Sequence, residues 1–107
     1  MAVSKRVLER RKMPRIPVNF GVTVTCEDRR YNSQAREFSE SGVFVSAEDK
    51  GLVGKLVMLD LALTPQDSAL SLKGVVVYAT ESGVGIRFRN PSRDQLSVLK
   101  NFIRANG

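Results

Sequence analysis

Two arginines four residues apart, Arg11 and Arg15, flank Pro14, and Pro17 follows closely. The prolines exclude a continuing helix and favour an extended, looping backbone around Arg15. From such a segment both guanidinium groups could converge on one ligand. A guanidinium is a planar fork of donors, suited to phosphate oxygens or to the O6 and N7 acceptors of guanine. Further along stands Glu37-Phe38-Ser39-Glu40-Ser41-Gly42. Strand alternation puts Glu37 and Ser39 on one face and Phe38 on the other. Ser41-Gly42 then permits a turn or bulge where backbone can approach a ligand closely. Each feature also has a plainer reading: a solvated basic arm in the first case, a strand running into a turn in the second.

Other chemistries are excluded by what is missing. The chain has no His, which rules out Ser-His-Asp and Cys-His catalysis. Cys26 is the single cysteine, so neither an internal disulfide nor an ordinary structural zinc site can form. Carboxylates such as Asp60 have no partner in the sequence and read as surface or turn groups. Gly83 and Gly85 join strand to strand with no helix opening after them, so they are not a dinucleotide fingerprint. The expectation is a protein that is not an enzyme and carries neither metal nor cofactor. With 17 Lys and Arg against 11 Asp and Glu, the formal charge of +6 favours an anionic partner. Phosphate ligands, nucleic acid and acidic protein faces all qualify.

The elements that must position these groups read as one small domain of 107 residues. Residues 1–16 form a basic arm, with Lys5, Arg6, Arg10, Arg11, Lys12 and Arg15 against Glu9. Val3 and Val7 are spaced for a short helix within it. From Val18 the period becomes two: Val18, Phe20, Val22, Val24 and Cys26 alternate with polar or small residues, as in a half-buried strand. Further strands are expected over 30–38, 43–45, 57–63, 70–80 and 84–89, the last two as a hairpin. Ser92 with Gln95 makes a capping box, after which Leu96, Leu99, Phe102 and Ile103 share one helical face. Residues 17–107 should therefore be an all-β, antiparallel barrel closed by a C-terminal helix, with a core of Val, Leu and Ile and a buried Cys26. The leader has no apolar core, and no apolar run nears the roughly 20 residues that span a bilayer. A soluble, cytoplasmic protein without membrane insertion is expected.

Taken in order, the two motifs resemble those of the PilZ family. Its RxxxR motif is matched by Arg11-Lys12-Met13-Pro14-Arg15, and its [D/N]xSxxG motif by Glu37-Phe38-Ser39-Glu40-Ser41-Gly42 except at the first position. Gly74-Val75-Val76-Val77-Tyr78 and Gly83-Val84-Gly85-Ile86-Arg87-Phe88 look like the family's closing hairpin. The similarity runs over about residues 9–104. It implies a six-stranded antiparallel barrel that binds cyclic di-GMP, with Arg11 and Arg15 on guanine edges and phosphates. Ser39 would supply a hydroxyl, and Gly42 would keep backbone clear of the ligand. Arg10, just ahead of the first motif, would stack on or pair with a second ligand molecule. Glu37 stands where the family has Asp or Asn, which moves the acceptor oxygens out by about one methylene. A bent or lost charged hydrogen bond there would cost about 1.5–3 kcal/mol, or ten- to a hundredfold in affinity.

Three functions compete. The first is a receptor that passes the second-messenger signal to an effector protein in motility, adhesion or polysaccharide output. The second is a PilZ-like adaptor that does not bind cyclic di-GMP and acts in pilus or gliding assembly. The third, a nucleic-acid binder, is disfavoured because Phe20, Phe38, Phe44 and Tyr78 sit in strand patterns rather than in a clustered stacking platform.

Overall fold

The computed structural model describes residues 15–47, 50–64 and 68–106. Arg10 and Arg11, and the short helix expected around Val3 and Val7, lie outside the described residues. Alternating apolar residues build seven strands: β1 (Ile16–Pro17), β2 (Gly21–Cys26), β3 (Arg29–Phe38), β4 (Gly42–Val45), β5 (Leu56–Leu61), β6 (Leu70–Ala79) and β7 (Val84–Phe88). A 3-10 turn at Lys50–Leu52 lies between β4 and β5, and helix α1 (Arg93–Asn106) follows β7.

All pairings are antiparallel, in the order β1-β3-β2-β5-β6-β7-β4, and β4 returns to pair with β3. Strands β2 to β7 therefore form the six-stranded closed barrel expected from the sequence, and β1 is an extra short strand beside β3. Closure leaves β2 to β7 without a free barrel edge.

The first strand departs from the expected start at Val18. Pro17 has no N–H to extend a ladder, so the strand breaks after it. Between the pairs Pro17↔Glu37 and Gly21↔Gln34, the three residues Val18 to Phe20 face only Ala35 and Arg36, which is a bulge. The bulge is held by Val18 N–H donating to Arg36 O at 2.9 Å and Ala35 N–H donating to Phe20 O at 2.8 Å. Gln34 Nε2 also donates to Asn19 Oδ1 at 2.7 Å.

The core is aliphatic, as composition required, with Val24, Val45, Leu59, Leu61, Val76 and Leu99 almost wholly buried and Cys26 among the buried residues. One end is aromatic. Phe20, Phe38 and Phe102 meet edge to face at centroid separations of 5.4–5.5 Å, and Phe88 joins Phe38 at 6.0 Å. Phe102 brings α1 into this cluster, with Leu99 and Ile103 buried on the same helical face. The helix starts at the capping box: Ser92 N–H donates to Gln95 Oε1 at 2.7 Å and Gln95 N–H donates to Ser92 Oγ at 3.1 Å. Among the described residues no helix is long and apolar enough to cross a membrane.

Candidate functional site

On the surface of the barrel, Arg15 and strands β3, β4, β7 and β6 line an open groove of about 300 Å3. Its lining includes Arg15, Glu37, Ser39, Ser41, Gly42, Phe44, Val77, Tyr78 and Arg87. The groove thus brings together four residues singled out from the sequence: Arg15, Glu37, Ser39 and Gly42.

Arg15 immediately precedes β1 and lies two residues from Pro17, the cross-strand partner of Glu37. Residues two apart on a strand share a face, and a diagonal neighbour lies within reach of a long side chain. Arg15 Nη1 accordingly approaches Glu37 Oε1 at 3.3 Å, with both side chains about half exposed. An ion pair this open to water is worth about 0–1 kcal/mol, so it orients the two groups more than it stabilises the barrel.

Glu37 reaches the outside because β3 bulges. Ala35 pairs with Val45 and Glu37 with Phe44, leaving Arg36 as an extra residue. Ala35 and Phe38 are buried while Arg36 and Glu37 both face out. Had the alternation continued unbroken from Ala35, Glu37 would point into the core and Phe38 into water.

Ser39 follows β3 and is 6% exposed, the one buried polar residue among those described. Its amide donates to Gly42 O at 2.9 Å, closing a four-residue turn. Its hydroxyl accepts from Ser41 N–H at 3.2 Å and lies 3.1 Å from Ser41 Oγ. The hydroxyl therefore already shapes the turn that forms one wall of the groove. Ser41 O, for its part, accepts from Phe88 N–H at 2.9 Å.

Gly42 opposes Arg87 across the β4–β7 pairing. A Cβ at this position would collide with the main-chain carbonyl oxygen of Ile86. Close strand approach thus demands glycine here, whatever a ligand also needs. Gly42→Ala is expected to destabilise the ligand-free protein by about 1–3 kcal/mol through overpacking. Thermal melting measures this, and an unchanged melt would mean that β4 and β7 separate without cost.

Sequence reasoning passed over Tyr78, Arg87, Phe44 and Ser41 as site residues. Arg87 gave one visible signal, a charged residue inside the apolar strand Val84–Phe88. Tyr78 gave none, because its facing depends on a second bulge. Val76 pairs with Ile86 and Tyr78 with Gly85, so Val77 is extra. Leu72, Gly74 and Val76 point inward, and Val77 and Tyr78 then both turn out, 44% and 39% exposed. Among the described residues no group of three or more His, Cys, Asp or Glu gathers to hold a metal ion.

The PilZ domain family model matches residues 9–105, nearly the entire chain. A search of curated protein sequences finds no match. Among solved structures, the PilZ domain of YcgR from Escherichia coli with c-di-GMP superposes at a TM-score of 0.76 and 14% identity, covering 91% of each chain. The Bacillus subtilis inhibitor of motility (MotI/DgrA) gives 0.71 at 16% identity over 90% of this chain and 50% of that one. The K. pneumonia MrkH–c-di-GMP complex gives 0.71 at 15% identity over 90% and 51%. This chain spans about half the length of the last two. At such identities the superpositions speak to architecture, and they agree on a closed barrel with a C-terminal helix. Matched by the family model from its basic leader to the end of α1, and folded into that same barrel, the chain belongs to the PilZ domain family.

Proposed function

We propose that this protein is a cyclic di-GMP receptor that passes the signal to a partner protein in motility, adhesion or polysaccharide output. The observation that carries the reading is the meeting of Arg15, Glu37 and Ser39, from two separate sequence motifs, at one solvent-open groove. Family membership supports it, as do the c-di-GMP complexes among the structural relatives. In this reading Arg15 pairs with a guanine edge or phosphate oxygens, and Arg11 joins it from the leader. Arg10 would meet a second ligand molecule, Ser39 would hold the turn and offer its hydroxyl, and Gly42 would leave room above β4. The soluble cytoplasm is the compartment that fits a nucleotide messenger. Binding would order the arm against the barrel and change the surface a partner meets.

The alternative, a PilZ-like adaptor that does not take up cyclic di-GMP, has one observation in its favour. Glu37 already holds the Arg15 guanidinium at 3.3 Å, so a ligand must displace it or accept a shared arrangement. Calorimetric titration with cyclic di-GMP separates the two readings. Glu37→Asp withdraws the carboxylate by one methylene, freeing Arg15 and restoring the family's shorter acceptor. Under the receptor reading binding is retained or tightened, up to about tenfold, by this change. A wild type that gives no heat and stays silent as Glu37→Asp supports the adaptor.

A further inference from the structure

A second open groove, of about 640 Å3, is lined by β5, β6, the residues after β7 and the first turn of α1. It shares no lining residue with the motif groove. Strand β5 begins Leu56-Val57-Met58-Leu59, an unbroken apolar run. Val57 and Leu59 are buried, which leaves Leu56 and Met58 on the outward face, 63% and 38% exposed. Apolar residues on both faces are the pattern of a strand covered on both sides. Among the described residues only the inner side of β5 is covered, and Leu56 is the most exposed large apolar side chain.

Half-buried Val75 is the cross-strand partner of Leu56, and Lys73 that of Met58. These four positions make a patch about 5 Å across the strands and about 7 Å along them. Arg89 extends the Met58–Lys73 row, its N–H donating to Lys73 O at 2.8 Å. Gln95 ties α1 to the same strand, with Nε2 donating to Ser71 O at 2.8 Å. Neither Lys73 nor Arg89 has an ion-pair partner among the described residues, and no carboxylate lines the groove. Asp60, one outward position further along β5, accepts from Ser71 Oγ at 2.5 Å. The patch thus joins an apolar centre to a cationic rim, the ordinary anatomy of a protein docking site.

We propose that this patch docks an acidic segment of a partner protein. One or two of its apolar side chains would sit against Leu56, Val75 and Met58, with carboxylates on Lys73 and Arg89. This is the partner side of the proposed function and rests on that reading, yet it needs no nucleotide in the motif groove. Charge selects the occupant. A second copy would set Lys73 and Arg89 against their own counterparts, with no acid in the groove to pair them. The same repulsion disfavours the chain's own leader, which carries Lys5, Arg6, Arg10, Arg11 and Lys12 against Glu9. Nucleic acid would find no aromatic ring in the groove to stack on.

A displayed library of random short peptides, selected against the whole protein, tests this. Acidic sequences with one or two large apolar residues should be enriched. A selected peptide, labelled for fluorescence anisotropy, should bind at least about tenfold more weakly to the double variant Leu56→Ser, Met58→Ser. Lys73→Glu with Arg89→Glu should cost a similar factor. That charge-reversed protein should regain affinity when Lys replaces the acids of the peptide, a rescue that a folding defect would not permit. All four side chains are exposed, so each variant should melt within a few degrees of wild type. Enrichment of basic or uncharged sequences, or of acidic ones indifferent to both double variants, would overturn the patch. So would a dimer in sedimentation, or binding to phosphatidylglycerol vesicles or an oligonucleotide, that Leu56→Ser with Met58→Ser abolishes. Calorimetry with cyclic di-GMP separates this surface from the receptor reading. Unchanged nucleotide binding in Leu56→Ser, Met58→Ser, with the peptide lost, supports both. A wild type silent to the nucleotide that still binds the peptide overturns the receptor and supports the docking patch.

Discussion

Replacing Arg15 by Ala is expected to weaken cyclic di-GMP binding by at least ten- to a hundredfold while leaving the barrel's stability almost unchanged. The two halves of that expectation come from different physics. Arg15 is about half exposed, and its partner among the described residues is Glu37 at 3.3 Å. Surface ion pairs of this kind contribute about 0–1 kcal/mol, so a melt should move by only a few degrees. A guanidinium closed against a phosphate or guanine edge makes charge-assisted hydrogen bonds worth about 1.5–3 kcal/mol, which is the stated loss of affinity. Arg15→Lys sharpens the test. It keeps the charge but gives up the planar fork, so most of the loss should remain if geometry matters, and little if only positive potential does. Calorimetry on the three proteins at one salt concentration reads this directly. Wild-type affinity in Arg15→Ala would remove Arg15 from the site.

The second large effect is structural. Phe38→Ala should destabilise the fold by about 3–5 kcal/mol, the usual cost of emptying an aromatic core position. Phe38 is 1% exposed and meets Phe20, Phe88 and Phe102 at 5.4–6.0 Å, so its loss opens a cavity shared by the segment leading into β2, by β7 and by α1. Domains of this kind are stable by about 5–15 kcal/mol, and much of that margin would go. Urea unfolding should show a lower midpoint. Below that midpoint, ligand binding should fall mainly as far as the folded fraction does, because the Phe38 ring is buried among Phe20, Phe88 and Phe102. A midpoint within error of wild type would show that α1 and the barrel close over the gap.

The two outcomes separate site from scaffold along one short segment. Glu37 and Phe38 are adjacent, yet one faces the groove and the other anchors the core. The backbone arranges this by taking an extra residue at Arg36. Ser39 and Gly42 line the groove and also hold the scaffold: a hydroxyl engaged in a turn, and a missing side chain that lets β4 approach β7.

Period-two patterning in residues 20–26, 57–61 and 70–76 was enough to specify strands with one buried face, because a pleated backbone sends alternate side chains to opposite sides. The capping box at Ser92 and Gln95 marked the start of α1, since both partners lie within one helical turn and need no tertiary help. The ordered arginine and serine-glycine motifs likewise named Arg15, Glu37, Ser39 and Gly42 without any coordinates. What the sequence left open was the face each residue takes after a bulge. A bulge forms where two strands of unequal local length must stay in register around a closed barrel, and that mismatch exists only once the partner strand is in place. For this reason Tyr78, which alternation assigns to the core beside Val76, emerged in the groove only when β6 paired with β7, and Arg87 came to face Gly42 only when β4 closed the barrel against β7.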